Sequence, residues 1–257
     1  VSATTEEAHM TDTTEKQATT PIATLDLVVF DVPEPATSAA FWSELTGGAT
    51  EEDEDDDGWV TVKTPDGWSL GFQPAPDLVR AEWPGQDHPQ QLHLDLRVAD
   101  VGAAVRRAAG LGATVLRENE SWTTLADPDG HPFDLCLAEG NEGLTIMGVT
   151  FDVPDASAAA QFWSRIVGDP VTYDADGLAM LGGEKALLFQ QVEGYNAPRW
   201  PDPAYPQQLH LDLWVGERSL DDAEALVLAA GATRLPGEDE SFRVFADPFG
   251  HPFCLIG

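Results

Sequence analysis

Two stretches of this chain read PQQLHLDL, at 89–96 and 206–213, and each sets a histidine two residues before an aspartate. In a strand that spacing puts both on one face, so His93, Asp95 and Arg97 stand opposite a row of leucines, as do His210, Asp212 and Trp214 in the second copy. An imidazole beside a carboxylate can hydrogen-bond within a polar wall, contact a ligand or move its proton, or ligate a metal. The spacing alone leaves all three open. Further along, ADPDGHPFDL (126–135) recurs as ADPFGHPFCL (246–255), so Asp134 in one copy stands where Cys254 stands in the other. A cysteine there could ligate zinc as a thiolate. His131 and His251 lie between a glycine and a proline and read as parts of a tight turn into a last strand rather than as catalysts. Trp83 and Trp200, each followed by proline, fit an aromatic rim over a cavity or a seal between packed units.

Several patterns carry no chemistry. Gly67-Trp68-Ser69-Leu70-Gly71 spells G-x-S-x-G, but a nucleophile elbow needs a strand–turn–helix, and the prolines of FQPAPD prevent the helix. Asp53, Asp55, Asp57 and Gly58 imitate the opening of a calcium loop whose twelfth position is then Thr64 rather than glutamate. EEDEDDD is expected to be a solvated loop. No glycine-rich phosphate loop, CxxC or HExxH motif occurs.

The elements that must position the histidines follow from a wider repeat. FDVP at 30–33 returns at 151–154, FWS at 41–43 at 162–164, FQ at 72–73 at 189–190, and WP at 83–84 at 200–201. The second half of the chain is a duplicate of the first with short loop changes. Each half divides again. LDLVVFDV reads as a strand, Pro35 to Gly47-Gly48 as a helix with Phe41, Trp42 and Leu45 on one face, and GWVTVKT and WSLGFQ as strands around a Pro65-Asp66-Gly67 turn. QLHLDLRV then opens a second unit, with a helix from its cap Asp100 to Leu111 ended by Gly112, followed by ATVLRE, SWTTLA and HPFDLCLA. A helix needs apolar surface to cover, which predicts the HLDL leucines beneath it and the histidines facing away. A third unit opens near Thr145, with Asp155 as helix cap, and a fourth at Gln207, where Ser219 and Asp222 form a near capping box.

This βαβββ unit, with HLDL opening the second module and DPxGHPF closing it, resembles the vicinal oxygen chelate superfamily, and within it the glyoxalase-like, bleomycin-resistance-like branch. The likeness covers about residues 22–257. It implies an α+β fold of two tandem glyoxalase-like domains, each of two βαβββ modules that curl a mixed sheet into a cup for a small molecule. The expected division is a disordered tail over 1–21, one domain over 22–138, a linker at 139–144 and a second domain over 145–257. In metal-using members each module offers one ligand on its first strand and one on its last. Carried over, the second module offers His93 and Asp134, the fourth His210 and Cys254. The first module, expected to complete the second's cup, has Leu27 and Gly71 at those positions, with Asp26 and Gln73 the nearest polar residues; the third has Gly148 and Leu188. Two ligands per cup do not make a tight site, so the expected cofactor is none, with His93, Asp134, His210 and Cys254 the only candidates for a divalent metal.

The expected function is therefore the binding or sequestration of a small organic molecule by His93, Asp95, Asp134 and Trp83 in one domain and by His210, Asp212, Trp214, Trp200 and Cys254 in the other. The competing reading is a glyoxalase-like lyase or isomerase, or a dioxygenase, using a divalent metal at His93/Asp134 or His210/Cys254. A degenerate scaffold whose cups are filled by side chains is the third.

Composition narrows the partners. Among 257 residues, 45 acidic against 13 basic ones leave a formal charge of −32. Such a surface repels phosphate backbones and anionic lipid, which argues against nucleic acid and membrane as partners. It fits a protein working in high salt as well as one kept soluble by its acids. No apolar run is long enough to span a bilayer, VSATTEEAHMTDTTEKQATT does not read as a secretory signal, and Cys136 and Cys254 occupy unequal repeat positions, so no repeated disulfide framework is expected. The cytoplasm is the expected address, and a monomer or homodimer the expected state.

Overall fold

A computed structural model describes residues 20–52, 58–202, 204–205 and 207–257. The tail through residue 19, expected to be disordered, and residues 53–57 of the expected EEDEDDD loop lie outside the described residues, while Glu51 and Glu52 of that run belong to a strand. Four βαβββ modules follow one another. The first holds β1 (Thr24–Val32), α1 (Pro35–Thr46), β2 (Ala49–Glu52), β3 (Val60–Lys63) and β4 (Ser69–Pro74). The second holds β5 (Leu92–Val98), α2 (Val101–Gly110), β6 (Thr114–Glu118), β7 (Trp122–Ala126) and β8 (Pro132–Leu137). The third holds β9 (Leu144–Val153), α3 (Ala156–Val167), β10 (Val171–Ala175), β11 (Leu178–Leu181) and β12 (Ala186–Gln191). The fourth holds β13 (Leu209–Trp214), α4 (Leu220–Ala230), β14 (Thr233–Glu238), β15 (Phe242–Ala246) and β16 (Pro252–Ile256).

Local chemistry sets the helix ends. Pro35 opens α1, where its fixed φ suits the first turn and its missing N–H costs nothing. Gly47 ends α1 in the left-handed conformation, at φ 76°. Asp100 and Asp155 cap α2 and α3 by accepting from the N–H groups of Ala103 and Ala158, and Ser219 caps α4 by accepting from Asp222. Ser69, the would-be nucleophile, opens strand β4, so the G-x-S-x-G pattern has no elbow geometry.

The strands form two eight-stranded mixed sheets, and here the structure departs from the sequence reading. One sheet runs β14-β15-β16-β13-β1-β4-β3-β2 and the other β10-β11-β12-β9-β5-β8-β7-β6. The first module therefore shares a sheet with the fourth, and the second with the third. The joins are antiparallel, with Val29 opposite His210 and His93 opposite Thr150. The expectation that the first module completes the second's cup is corrected accordingly: Gly148 and Leu188 belong with His93, and Leu27 and Gly71 with His210.

What ties the sequence halves together is the packing behind the sheets. The Trp42 indole on α1 donates to Asp127 of the second module at 3.1 Å, and its ring packs on Phe133. The duplicate repeats this with Trp163, Asp247 and Phe253. With modules 1 and 2 held by these contacts, the open edges of β1 and β5 find partners only in the other half. The HLDL leucines are buried as expected, with Leu92, Leu94 and Leu96 at most 1% exposed. Helix α2 packs chiefly over β8, β7 and β6, rather than on the leucines' own strand.

Candidate functional site

Each sheet curls around a cup. In the cup of modules 2 and 3, His93 and Asp95 project from β5 and Asp134 from β8. His93 Nε2 stands 3.7 Å from Asp95 Oδ1 and 4.0 Å from Asp134 Oδ2. Thr150 on the facing strand β9 donates to Asp95 Oδ2 at 2.5 Å, and the Cys136 thiol lies 3.9 Å from Asp95 Oδ1. His93 Nδ1 and Asp134 Oδ1 are buried without a hydrogen-bond partner among the described residues. Burial raises the Asp134 carboxyl above its ordinary range against the pull of His93, and burial with the nearby Asp95 and Asp134 charges pushes the Cys136 thiol far up. A cavity of about 350 Å³ opens over this wall, rimmed by Trp83 and Trp122, with the Arg117 guanidinium 4.6 Å above the Trp83 ring.

In the cup of modules 1 and 4, His210 Nε2 stands 3.4 Å from Asp212 Oδ1, and Cys254 lies close enough to His210 to share a hydrogen bond. Burial by itself lowers the His210 pKa, but Asp212 and Cys254 beside the ring raise it well above the usual histidine value. Gln207 Nε2 is 2.7 Å from His210 Nδ1. As placed, that amide donates to both His210 and Asp31, which leaves the ring proton on Nε2; an imidazolium requires the amide to turn its oxygen to Nδ1. Burial pushes the Cys254 thiol upward. The cavity here is about 550 Å³, with Trp59, Trp214 and Phe242 among its walls.

The structure thus brings His93, Asp134 and Trp83 to one cavity, with Asp95 beside His93 but not on the cavity wall, and His210, Asp212, Trp214 and Cys254 to the other. Trp200 also lines neither cavity, and its ring lies near Gly237. His131 and His251 are turn residues, each 2.9–3.1 Å from the carboxylate of Asp127 or Asp247 through Nδ1.

Sequence reasoning overlooked a second polar group in each cup. Asp31 Oδ1 accepts from Gln73 at 2.5 Å and Gln207 at 3.0 Å, and Asp152 Oδ1 accepts from Gln190 at 2.6 Å and Gln90 at 3.1 Å. Burial raises the Asp31 pKa, in opposition to His210 and the two amides. The signal was available, because Asp31 and Asp152 belong to the repeated FDVP, Gln73 and Gln190 to the repeated FQ, and Gln90 and Gln207 to the repeated PQQ.

Asp152 and Gln190 of the third module, and Gln73 of the first, line the cavities, but the positions carried over from the resemblance hold Gly148 and Leu188, or Leu27 and Gly71. A side chain on Gly148 would meet Leu188 Cδ1 at 2.4 Å, and one on Gly71 would meet Trp59 Cζ2 at 2.6 Å and Leu27 Cδ2 at 3.3 Å. These positions supply no metal donor. The sequence-level count of two ligands per cup nevertheless changes, because Asp95 joins His93 and Asp134, and Asp212 joins His210 and Cys254, with donor atoms of each trio within 4.8 Å of one another. Bonds of about 2.0–2.3 Å to a common ion need only modest closure of such a trio, and catalytic sites with three protein ligands and one open position are ordinary. Three donors on one wall with a cavity in front fit an open divalent site.

A match to the glyoxalase-like domain covers residues 27–136 and 148–256. The chain belongs to the glyoxalase-like domain family. Its two matched segments are the sequence halves, whereas its cups are built across them. Glyoxalase I from Zea mays superposes with a TM-score of 0.65 at 17% identity, over 91% of this chain and 92% of that one. The cppA protein from Streptococcus pneumoniae does so with a TM-score of 0.53 at 11% identity, over 92% and 99%. At such identities the likeness is one of fold. No curated protein matches the chain in sequence. None of the described helices is long and apolar enough to cross a membrane.

Proposed function

We propose that this glyoxalase-like protein binds small organic molecules in its two cups, each ligand held by convergent polar groups and flanked by tryptophans. The observation that carries the reading is the convergence of buried polar groups and tryptophans on each cavity. Each cavity is lined by polar groups from both modules, His93, Asp134, Asp152 and Gln190 in one and His210, Asp212, Cys254 and Gln73 in the other, with Trp83 and Trp122, or Trp59 and Trp214, beside them. A concave, largely preformed pocket with a few convergent polar groups is what a small ligand needs. The cups differ in volume, about 350 against 550 Å³, and in Asp134 against Cys254, so they select different molecules.

The test uses the tryptophans as reporters. Titration with a panel of small aromatic and polar organic molecules should give saturable changes in fluorescence. Those at the second/third-module cup should be lost in Trp122→Ala, and those at the first/fourth-module cup in Trp214→Ala. Absence of any saturable ligand, with both variants behaving as the parent, would remove the reading.

The three-donor clusters favour a second reading, a metal-dependent enzyme. An ion at His93–Asp95–Asp134 would polarise a ligand oxygen facing the cavity. Gln90 and Thr124 on the cavity wall would orient that ligand, and Trp83 and Trp122 would limit water. Turnover of a bound ligand only after loading with a divalent ion would establish this reading over simple binding.

A further inference from the structure

We propose that the His93 cup takes a planar organic carboxylate, gripped by Arg117, while the His210 cup takes neutral molecules. The inference rests on the reading of the cups as ligand sites and names the chemistry that one of them selects. Arg117 is a cup residue although β6 is an edge strand. A bulge between Val115 and Arg117 re-aims the strand, and Arg117 then pairs with Thr124 of β7, which pairs with Asp134 of β8. Residues paired across strands share a face, so Arg117 ends the row that carries Asp134. Among the described residues it is the one lysine or arginine on that cavity wall, and the other cavity has neither.

The surroundings of that cation suit a flat acid. The Arg117 guanidinium lies over the Trp83 ring and has no ion pair or hydrogen bond among the described residues. A guanidinium stacked on an indole keeps the N–H fork at its edge free, the geometry that takes a carboxylate through two parallel hydrogen bonds. Two residues along, Asn119 lines the same cavity, and its buried Nδ2 has no acceptor among the described residues. Trp122, two residues before Thr124 and on the same face, is 41% exposed at the rim and offers a flat apolar surface to the rest of the molecule. Two strand spacings, roughly 10 Å, separate the Arg117 and Asp134 positions, room for one ring between the acid group and the polar wall. Asp152 and Glu193 also line the cavity, so a single negative charge suits it better than a phosphate dianion. The duplicate has the same cup without this device. Glu118 pairs with Thr123, next to Trp122, and Glu238 pairs with Arg243, next to Phe242, so Gly237 stands where Arg117 stands. Trp200, the counterpart of Trp83, lies near that glycine, its ring 3.7 Å from where a Cβ would be.

The experiment titrates benzoate, 4-hydroxybenzoate and cinnamate, each beside its amide, and phenyl phosphate as the dianion. The full chain is used at about pH 7.5 in about 0.1 M sodium chloride, which screens the distant acidic surface. Calorimetry gives each affinity, and its loss in Trp122→Ala or Trp214→Ala assigns it to a cup. At the Trp122 cup each carboxylate should bind at least about tenfold more tightly than its amide, as a charge-assisted pair requires, and at the Trp214 cup no more tightly. Arg117→Gln should bring that ratio to about one, and Arg117→Lys, which keeps the charge and loses the fork, should leave an intermediate ratio. Thermal unfolding by circular dichroism shows that each variant is folded. A carboxylate no tighter than its amide in the parent, a preference that survives Arg117→Gln, phenyl phosphate tighter than benzoate, or carboxylates held by the Trp214 cup would overturn the inference. Amides that still saturate in those cases would leave the cups standing as ligand sites, whereas silence from every compound would remove both readings.

Discussion

Asp247 is the residue on which the fourth module's last turn depends, and its removal should unfold the protein well before any cup side chain matters. Its Oδ1 accepts from the backbone N–H groups of Phe249 and His251 at 2.8 and 2.9 Å. Its Oδ2 faces the Trp163 indole at 3.2 Å and His251 Nδ1 at 2.9 Å. The carboxylate is 0% exposed, so Asp247→Ala strands up to four donors where water does not reach. Each stranded donor costs about 1–3 kcal/mol, but the four form one network and relax together, so roughly 4 kcal/mol in total is expected. At about 2–4 °C per kcal/mol for a chain of this size, the melting temperature should fall by roughly 8–16 °C. Asp247→Asn keeps the oxygen for the two backbone donors and loses the indole's acceptor, for about half that cost. The assay is thermal unfolding by circular dichroism, with Trp163→Phe added to both backgrounds to measure the coupling. A melting temperature for Asp247→Ala within about 2 °C of the parent would refute the account of the turn, and with it the reason that β16 and Cys254 stand where they do.

Three more outcomes follow. Raising sodium chloride from about 0.01 to 1 M shortens the screening length from roughly 30 to 3 Å, so a chain at −32 should melt progressively higher; a flat or falling melting temperature contradicts the self-repulsion argument. A half-chain over residues 20–143 leaves one edge each of β1 and β5 unpaired and should self-associate into dimers that rebuild two shared sheets, as read by light scattering; a folded, strictly monomeric half would count against the cross-half pairing. The third concerns the buried Asp127–His131 pair, 3.1 Å apart. Burial opposes both charges, yet the His131 charge and hydrogen bonds lower the Asp127 pKa, while Asp127, Asp129 and Asp31 raise that of His131. Asp127 contributes stability above its unfolded pKa near 3.9 and loses it as pH falls through its lower folded value. His131 contributes fully below its unfolded pKa near 6.5 and loses that as pH rises through its higher folded value. The stability gap between the parent and His131→Gln should therefore be widest between about pH 4 and 6.5, and a gap unchanging from pH 4 to 9 would dismiss the linkage.

Much of this was legible in the residues. Alternation in HLDL placed His93 with Asp95 and His210 with Asp212 on one face, because a strand's side-chain period is two whatever surrounds it. Pro35, Asp100, Asp155 and Ser219 marked the helix starts through backbone groups within one turn. The twofold repeat and the βαβββ plan were likewise written in spacings along the chain. Which module faces which was not. The first strand of each module has an open edge that any other first strand could satisfy, and nothing local distinguishes β9 from β1 as the partner of β5. The choice lies in long-range packing, where Trp42 reaches Asp127 and Trp163 reaches Asp247 and turn the strand edges toward the other half. The same pairing decides that Gln190 faces the His93 cup and Trp59 the His210 cup, that Trp200 stays outside both, and that Asp31 and Asp152 meet glutamines from other modules. Composition and period act over a few residues, so they set faces and ends; the walls of a cup belong to segments more than fifty residues apart, and only the folded chain brings them together.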